Sequence, residues 1–217
     1  MSAAASANRA WFPGLVLHTI IAQATYNGVR VLISYRTLEL GGSGFVLGLM
    51  TACYSLVPLF LALFIGRLVD RGYATAVLWV GTALSILPVA LAAIAPNLAV
   101  LLVATMSLGL GQLLTTVASQ ALIPQSFPAS QMTAKFGHLT LGVSIGQTIG
   151  LPMAGMVADA TSGNTAITNA LWFMTAVSAL TLIAAVIVML RGRTPHVSRA
   201  EAAEGAQTPW TLLALRG

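Results

Sequence analysis

The sequence predicts an all-α polytopic membrane protein with six transmembrane helices and both termini on the cytoplasmic side. Three observations predict it. Of 217 residues, 57% are hydrophobic and only 7% are charged, whereas a soluble domain devotes roughly a quarter of its residues to charge. The apolar residues gather into six blocks of about 20, the length a helix needs to cross ~30 Å of hydrocarbon. The basic residues also keep to alternate connecting segments: Arg9, Arg67, Arg71, Lys135, Arg191, Arg193, Arg199 and Arg216 fall on one side. The opposite loops carry Arg36, offset by Glu39, and Asp159, an asymmetry that puts the basic set in the cytoplasm.

The elements follow in order. Residues 1–12 form a short polar N-terminus, and spans are expected near 13–33, 45–65, 74–95, 98–120, 137–158 and 168–190. The blocks are continuously apolar, whereas a barrel strand would alternate over about 10 residues, so helices are predicted. The first block is too long for a typical signal-peptide core and no convincing cleavage site follows it, so it reads as a retained helix. Residues 191–217 contain Arg191, Arg193, Pro195, Glu201, Glu204 and Pro209 and read as a flexible cytoplasmic linker or tail. Its end, Pro209 to Gly217, is partly apolar but too short to span, and the chain is expected to stop mid-protein. Only one of ten basic residues is Lys, and Ala is abundant; this fits a GC-rich bacterial genome and hence the bacterial inner (plasma) membrane.

The second and fifth spans resemble each other. At an offset of 89 residues, Gly48, Thr51, Ser55, Gly66 and Asp70 match Gly137, Thr140, Ser144, Gly155 and Asp159. The second span leaves toward the cytoplasm and the fifth toward the outside, so the chain reads as two triplets of helices in opposite orientation, a 3+3 inverted repeat.

Two motifs stand in these spans. Gly66-Arg67-Leu68-Val69-Asp70-Arg71-Gly72 lies between the second and third. A carboxylate there can pair with neighbouring arginines or cap a helix N-terminus, and the glycines permit a tight turn. The fifth span carries Gly142, Gly146 and Gly150 four apart, then Pro152 and Gly155; small residues at this spacing let backbones approach closely. The loop resembles the Gly-x-x-x-Asp-(Arg/Lys)-x-Gly-(Arg/Lys) signature of the major facilitator superfamily, with one residue missing before Gly72 and Tyr73-Ala74-Thr75 in place of further basic residues. The helix is similar to the Gly-x-x-x-Gly-Pro-x-x-Gly-Gly signature of exporter branches, with Leu151 inserted and Ala154 replacing a glycine. In the fourth span, Thr105 stands before Gly109-Leu110-Gly111 where the superfamily often has arginine.

The resemblance implies the N-terminal half of a twelve-helix secondary transporter, since nested 3+3 inverted repeats occur in each half of that superfamily. It also implies an efflux carrier working by alternating access, with the Gly66, Arg67, Asp70, Arg71 and Gly72 loop as a cytoplasmic latch. A second six-helix half, either a missing C-terminal half or another copy of the chain, is the expected partner, together with the lipid bilayer and a small-molecule solute. The alternative for the loop residues is an ordinary positive-inside loop, and for the glycines generic tight packing of membrane helices.

The first span carries Gln23, Asn27, Arg30 and Ser34 on one helical face beside Tyr26. Polar groups at membrane depth normally face a bundle interior or a wet cavity. We expect this face, with Gln112 and Thr116 of the fourth span and Ser144 and Gln147 of the fifth, to line a substrate path. The alternative is that Arg30 snorkels to the headgroups with Arg36. His18 and His138 sit near the cytoplasmic boundary and read as interfacial anchors.

Other functions are disfavoured. Alternate placement of the basic residues argues against nucleic acid. A lone cysteine, Cys53, allows no intrachain disulfide and no zinc cluster, and no metal or cofactor is expected. Gly142-Val143-Ser144-Ile145-Gly146, with Asp159 and His196, follows the order of α/β-hydrolase triads. A nucleophile elbow needs a strand-to-helix turn, however, and this serine lies in an apolar span, so no enzyme is predicted. The alternatives to a carrier are a six-helix channel and an inactive half-transporter or helper subunit.

Overall fold

In the computed structural model, residues 11–160 and 165–191 are described. Among them there is no strand, and the chain forms six α-helices: α1 (Phe12–Glu39), α2 (Gly44–Leu68), α3 (Ala74–Ala93), α4 (Leu98–Ser126), α5 (Ala129–Ala160) and α6 (Ala166–Arg191). The N-terminal ten residues and the tail after Arg191, with Arg9 and His196, lie outside the described residues. Four stretches are long and apolar enough to cross a membrane: Gly44–Ala93, which contains both α2 and α3, Leu98–Ser126, Ala129–Ala160 and Ala166–Val186. The architecture is that of an all-α polytopic membrane protein. Helix α1 is less apolar because its middle carries Gln23, Asn27, Arg30 and Ser34.

The helices outrun the predicted spans. Helix α1 continues to Glu39, α4 to Ser126, and α5 begins at Ala129. Hydropathy marks only the stretch that matches hydrocarbon, whereas backbone hydrogen bonding carries each helix on into its polar flank. Local chemistry sets the ends. Pro13 stands in the first turn of α1, where its missing N–H leaves no bond unmade. Gly41 turns the chain out of α1 at φ +78°. Asn97 caps α4 by accepting from the Val100 amide at 3.0 Å. At the end of α1, Arg36 pairs with Glu39 at 2.9 Å and donates to the Ala95 carbonyl at 3.2 Å, tying this end to the α3–α4 connection.

Helices α2 and α3 are joined by a turn at Val69–Tyr73 in which Gly72 takes φ +95°, ψ 6°. No atom would obstruct a Cβ there, so the constraint is the backbone alone. Gly72→Val is expected to cost roughly 1–2 kcal/mol, read as a lower thermal midpoint, whereas Gly66→Ala, helical and equally uncrowded, is expected to leave the midpoint unchanged or slightly raised.

Two apolar clusters hold the bundle. One contains Tyr26, Val29, Leu32, Met50, Tyr54, Val89, Leu101, Leu108, Leu171 and Met174. The other contains Trp11, Leu15, Ile65, Val77, Leu78, Leu122, Ile123 and Phe127. Between them along α1, α3 and α6 lie the buried polar residues His18, Thr82, Ser85, Ser178 and Thr181. The middle of the bundle is therefore hydrogen-bonded, and the apolar packing is concentrated toward its ends. Helix α1 packs on α5 and α6, α4 packs on α2 and α3, and α3 meets α6. Helices α2 and α5 are the least covered. Of α2 only Met50, Tyr54 and Ile65 are buried, while Phe45, Leu59, Phe60, Leu63 and Phe64 are exposed.

Candidate functional site

The polar stripe of α1 runs from the bundle interior to its surface. Gln23 is buried, Asn27 and Ser34 are half-buried, and Arg30 is exposed. The stripe ends in a cleft of about 270 Å³ between α1, α2 and α5, lined by Asn27, Arg30, Val31, Ser34, Thr51, Gln147 and Leu151. Of the residues expected along the path, the cleft brings together Asn27, Arg30 and Gln147. Asn27 donates to the Gln23 carbonyl at 2.9 Å.

Arg30 is held by an aromatic ring. Its guanidinium carbon lies 4.9 Å from the centroid of the Tyr54 ring, inside the range at which a cation is attracted to a π face. The Tyr54 hydroxyl donates to Gln112 Oε1, so α1, α2 and α4 are linked through Arg30, Tyr54 and Gln112. Among the described residues, Arg30 makes no ion pair. It turns toward Tyr54 in the bundle, unlike Arg36, which pairs with Glu39 at the helix end.

Other path residues lie elsewhere. Tyr26 does not line the cleft: it is fully buried, and its hydroxyl meets Ser85 and, at 3.3 Å, Thr115. The four-residue spacing put Tyr26 beside the polar stripe, but its own direction faces α3 and α4. Ser144 is exposed and outside the cleft, its carbonyl accepting from Thr148 at 2.8 Å. Gln23 and Thr116 line a second, smaller chamber with His18, Thr115, Ser119 and Leu139, about 20 Å³ in volume. That is room for about one water molecule.

His18 is not an interfacial anchor. It is fully buried, and its Nε2 lies 2.9 Å from Thr82 Oγ1. The Thr82 hydroxyl already donates to the Leu78 carbonyl at 2.8 Å, so Nε2 carries the proton of the neutral ring and donates to Thr82. Nδ1 is then an acceptor with no protein partner, as is Gln23 Oε1. Nothing in the sequence flagged Thr82 or Ser85, since serine and threonine in apolar helices more often bond their own backbone; only the helix crossings give them distant partners. His138, by contrast, is exposed.

The fifth-helix glycines divide by face. A Cβ on Gly146 would meet the Ile20 carbonyl, and one on Gly150 the Ala24 backbone, while Gly142 faces Val16 at 3.2 Å. Gly28 completes this contact, its Cβ position lying 2.7 Å from the Gly150 carbonyl oxygen. Gly155 has open space and Pro152 is exposed; α5 runs unbroken through it. Five residues, about 1.4 turns, separate Gly150 from Gly155, a net rotation of roughly 140° that carries the latter off the α1 face.

In the α2–α3 turn, Arg67, Asp70, Arg71 and Gly72 are all exposed, and Gly66 is half-buried with nothing near it. Among the described residues, Asp70 pairs with neither arginine. The turn is held instead by Gln125 of α4, whose amide donates to the Val69 carbonyl at 3.3 Å. The carboxylate thus remains available to a group outside this bundle. No cluster of three or more metal-ligating side chains occurs among the described residues.

Comparison with known proteins agrees with this architecture. No curated protein matches the sequence. The family model described as Major Facilitator Superfamily matches residues 15–216, which takes in the polar stripe of α1, the cleft, the α2–α3 turn and the glycine face of α5. A match over nearly the whole length, on an all-α bundle of long apolar helices, shows that the chain belongs to the Major Facilitator Superfamily of secondary transporters.

Proposed function

We propose that the chain is one six-span half of an efflux carrier that moves a small solute by alternating access, with both termini in the cytoplasm of a bacterium and the bundle in its inner membrane. The observation that carries this reading is the cleft at Arg30. It lies between α1, α2 and α5, and α2 and α5 are the two helices whose apolar faces are least covered. A second bundle seated on those faces, from further chain or a second copy, would convert the open cleft into a cavity between halves. The packing supports an inverted repeat: α1 on α5 corresponds to α4 on α2, and α1 on α6 to α4 on α3. The equivalent glycines Gly48 and Gly137, and Gly66 and Gly155, all face open space. The efflux direction rests on the glycine run of α5, and the latch on the exposed, unpaired Asp70.

The test reads access without knowing the solute. In a Cys53→Ser background, a cysteine replacing Gln147 is labelled in oriented vesicles by a membrane-impermeant maleimide from either side. A carrier exposes the cleft to one side at a time, and Asp70→Asn is expected to shift the ratio of inside to outside labelling several-fold. Equal labelling from both sides, unchanged by Asp70→Asn, describes a pore and would overturn the carrier reading.

A further inference from the structure

The geometry points to Arg30 as an anion-binding centre: the cleft takes a small solute bearing a carboxylate or phosphate group, whose oxygens bind the in-plane N–H donors of the guanidinium. This deepens the carrier reading and rests on it for the solute's transport, though not for its binding.

Charge comes first. Arg30 is the one charged residue lining the cleft. The carboxylates of the described residues lie elsewhere: Glu39 is paired with Arg36, Asp70 stands in the α2–α3 turn at the opposite end of α2 from Thr51, and Asp159 stands about two helical turns beyond Leu151 at the end of α5. A cationic solute would meet an uncompensated positive charge with nothing to offset it. An anion would neutralise that charge.

Orientation comes second. The Tyr54 ring holds the guanidinium carbon 4.9 Å from its centroid, and a contact to a π face takes up no oxygen acceptor, so the N–H donors of the guanidinium are left for a planar or tetrahedral oxyanion. The ring is itself fixed, by its hydroxyl on Gln112 and by α4, whose Gly109 lets the Tyr54 carbonyl approach so closely that a Cβ there would clash. A donor fork held in place before the ligand arrives loses less freedom on binding.

The neighbours divide the remaining work. Ser34 and Thr51 give their hydroxyl protons to the Arg30 and Leu47 carbonyls, at 3.2 and 3.1 Å. Asn27 gives an amide proton to Gln23. The two hydroxyls therefore present oxygens, and Asn27 its amide oxygen beside one remaining N–H, suited chiefly to hydroxyl or amine protons on the rest of the solute. Gln147 sits across the cleft from Arg30 and can add an amide donor to the anionic end. The cleft volume, about 270 Å³, lies just below the usual ligand-pocket range of ~300–1,000 Å³, which fits a small solute.

The same oxyanion chemistry is offered by free anions and by lipid phosphate, and the experiment separates them. The full chain is purified into phosphatidylcholine nanodiscs and titrated with sodium benzoate, sodium phosphate, choline chloride and mannitol at matched ionic strength, following the thermal midpoint. Benzoate or phosphate is expected to raise the midpoint, with apparent affinity falling at least tenfold in Arg30→Gln and less in Arg30→Lys. The lysine variant keeps the charge and so controls for misfolding. If neither salt acts, but phosphatidylglycerol in the disc stabilises the wild type and not Arg30→Gln, the anion is a lipid headgroup. Affinity unchanged in Arg30→Gln, a preference for choline or mannitol, or no response to either salt or lipid overturns the inference. Saturable transport of choline or mannitol that ignores Arg30→Gln would do so while leaving the carrier reading intact. Arg30-dependent anion binding without alternating access would sink the carrier reading alone.

Discussion

Gly150→Leu is expected to abolish most folded protein, whereas Gly137→Leu on the same helix is expected to be tolerated. The backbones of α1 and α5 touch at Gly150. A Cβ there would fall on the Ala24 carbonyl, and the Gly150 carbonyl itself sits 2.7 Å from where a Cβ on Gly28 would be. The obstructing atoms are main chain, so no rotamer change relieves the clash and the helices must separate. Overpacking that rotamers can absorb costs about 1–3 kcal/mol; forcing two helices apart should exceed that, a large share of a total stability of ~5–15 kcal/mol. In a membrane the loss is not offset by apolar burial, because lipid is as apolar as the separated faces and close packing is itself a main source of association. Gly137 has open space around it. Fluorescence-detected size exclusion and the thermal midpoint read both variants, and equal damage from the two would refute the assigned contact.

The second large effect is expected at Tyr54. Tyr54→Leu removes both the ring beneath Arg30 and the hydroxyl bound to Gln112, whereas Tyr54→Phe removes the hydroxyl alone. A cation–π contact to an exposed cation such as Arg30 is worth about 0.5–1 kcal/mol, and polar bonds between membrane helices average about 0.6 kcal/mol. The leucine variant should therefore lose roughly tenfold in apparent affinity for benzoate or phosphate, and the phenylalanine variant no more than about threefold. Equal losses in both would mean that the hydroxyl positions Arg30, and that stacking does not.

Much of the bundle was legible because lipid leaves a chain few options. Blocks of about 20 apolar residues can satisfy their backbone only as helices, and the helices lie where those blocks are. The overruns in α1, α4 and α5 were not legible, since hydropathy is silent about polar residues that extend a helix beyond hydrocarbon. The site was legible in part. The stripe of Gln23, Asn27, Arg30 and Ser34 announced a polar face, because a lipid-facing helix would not carry it. Tyr26 was misread through the same periodicity, since a helical wheel gives angular position on one helix and says nothing about which neighbour fills each angle.

Tyr54 went unnoticed for a related reason. In sequence it is one aromatic among apolar residues, and only the crossing of α2 over α4 at Gly109 sets it under Arg30. His18 was placed by its distance from the span end as an anchor, yet α3 covers it with Thr82. The sequence by itself determined the helices, the polar face of α1 and the superfamily, because each depends on periodicity, composition or local motif. Only the tertiary structure decided that Arg30 meets Tyr54, that the α5 glycines seat α1 while Gly155 does not, and that Asp70 is left unpaired. These depend on interhelical contacts, which are fixed by where backbones can approach and which no single helix encodes.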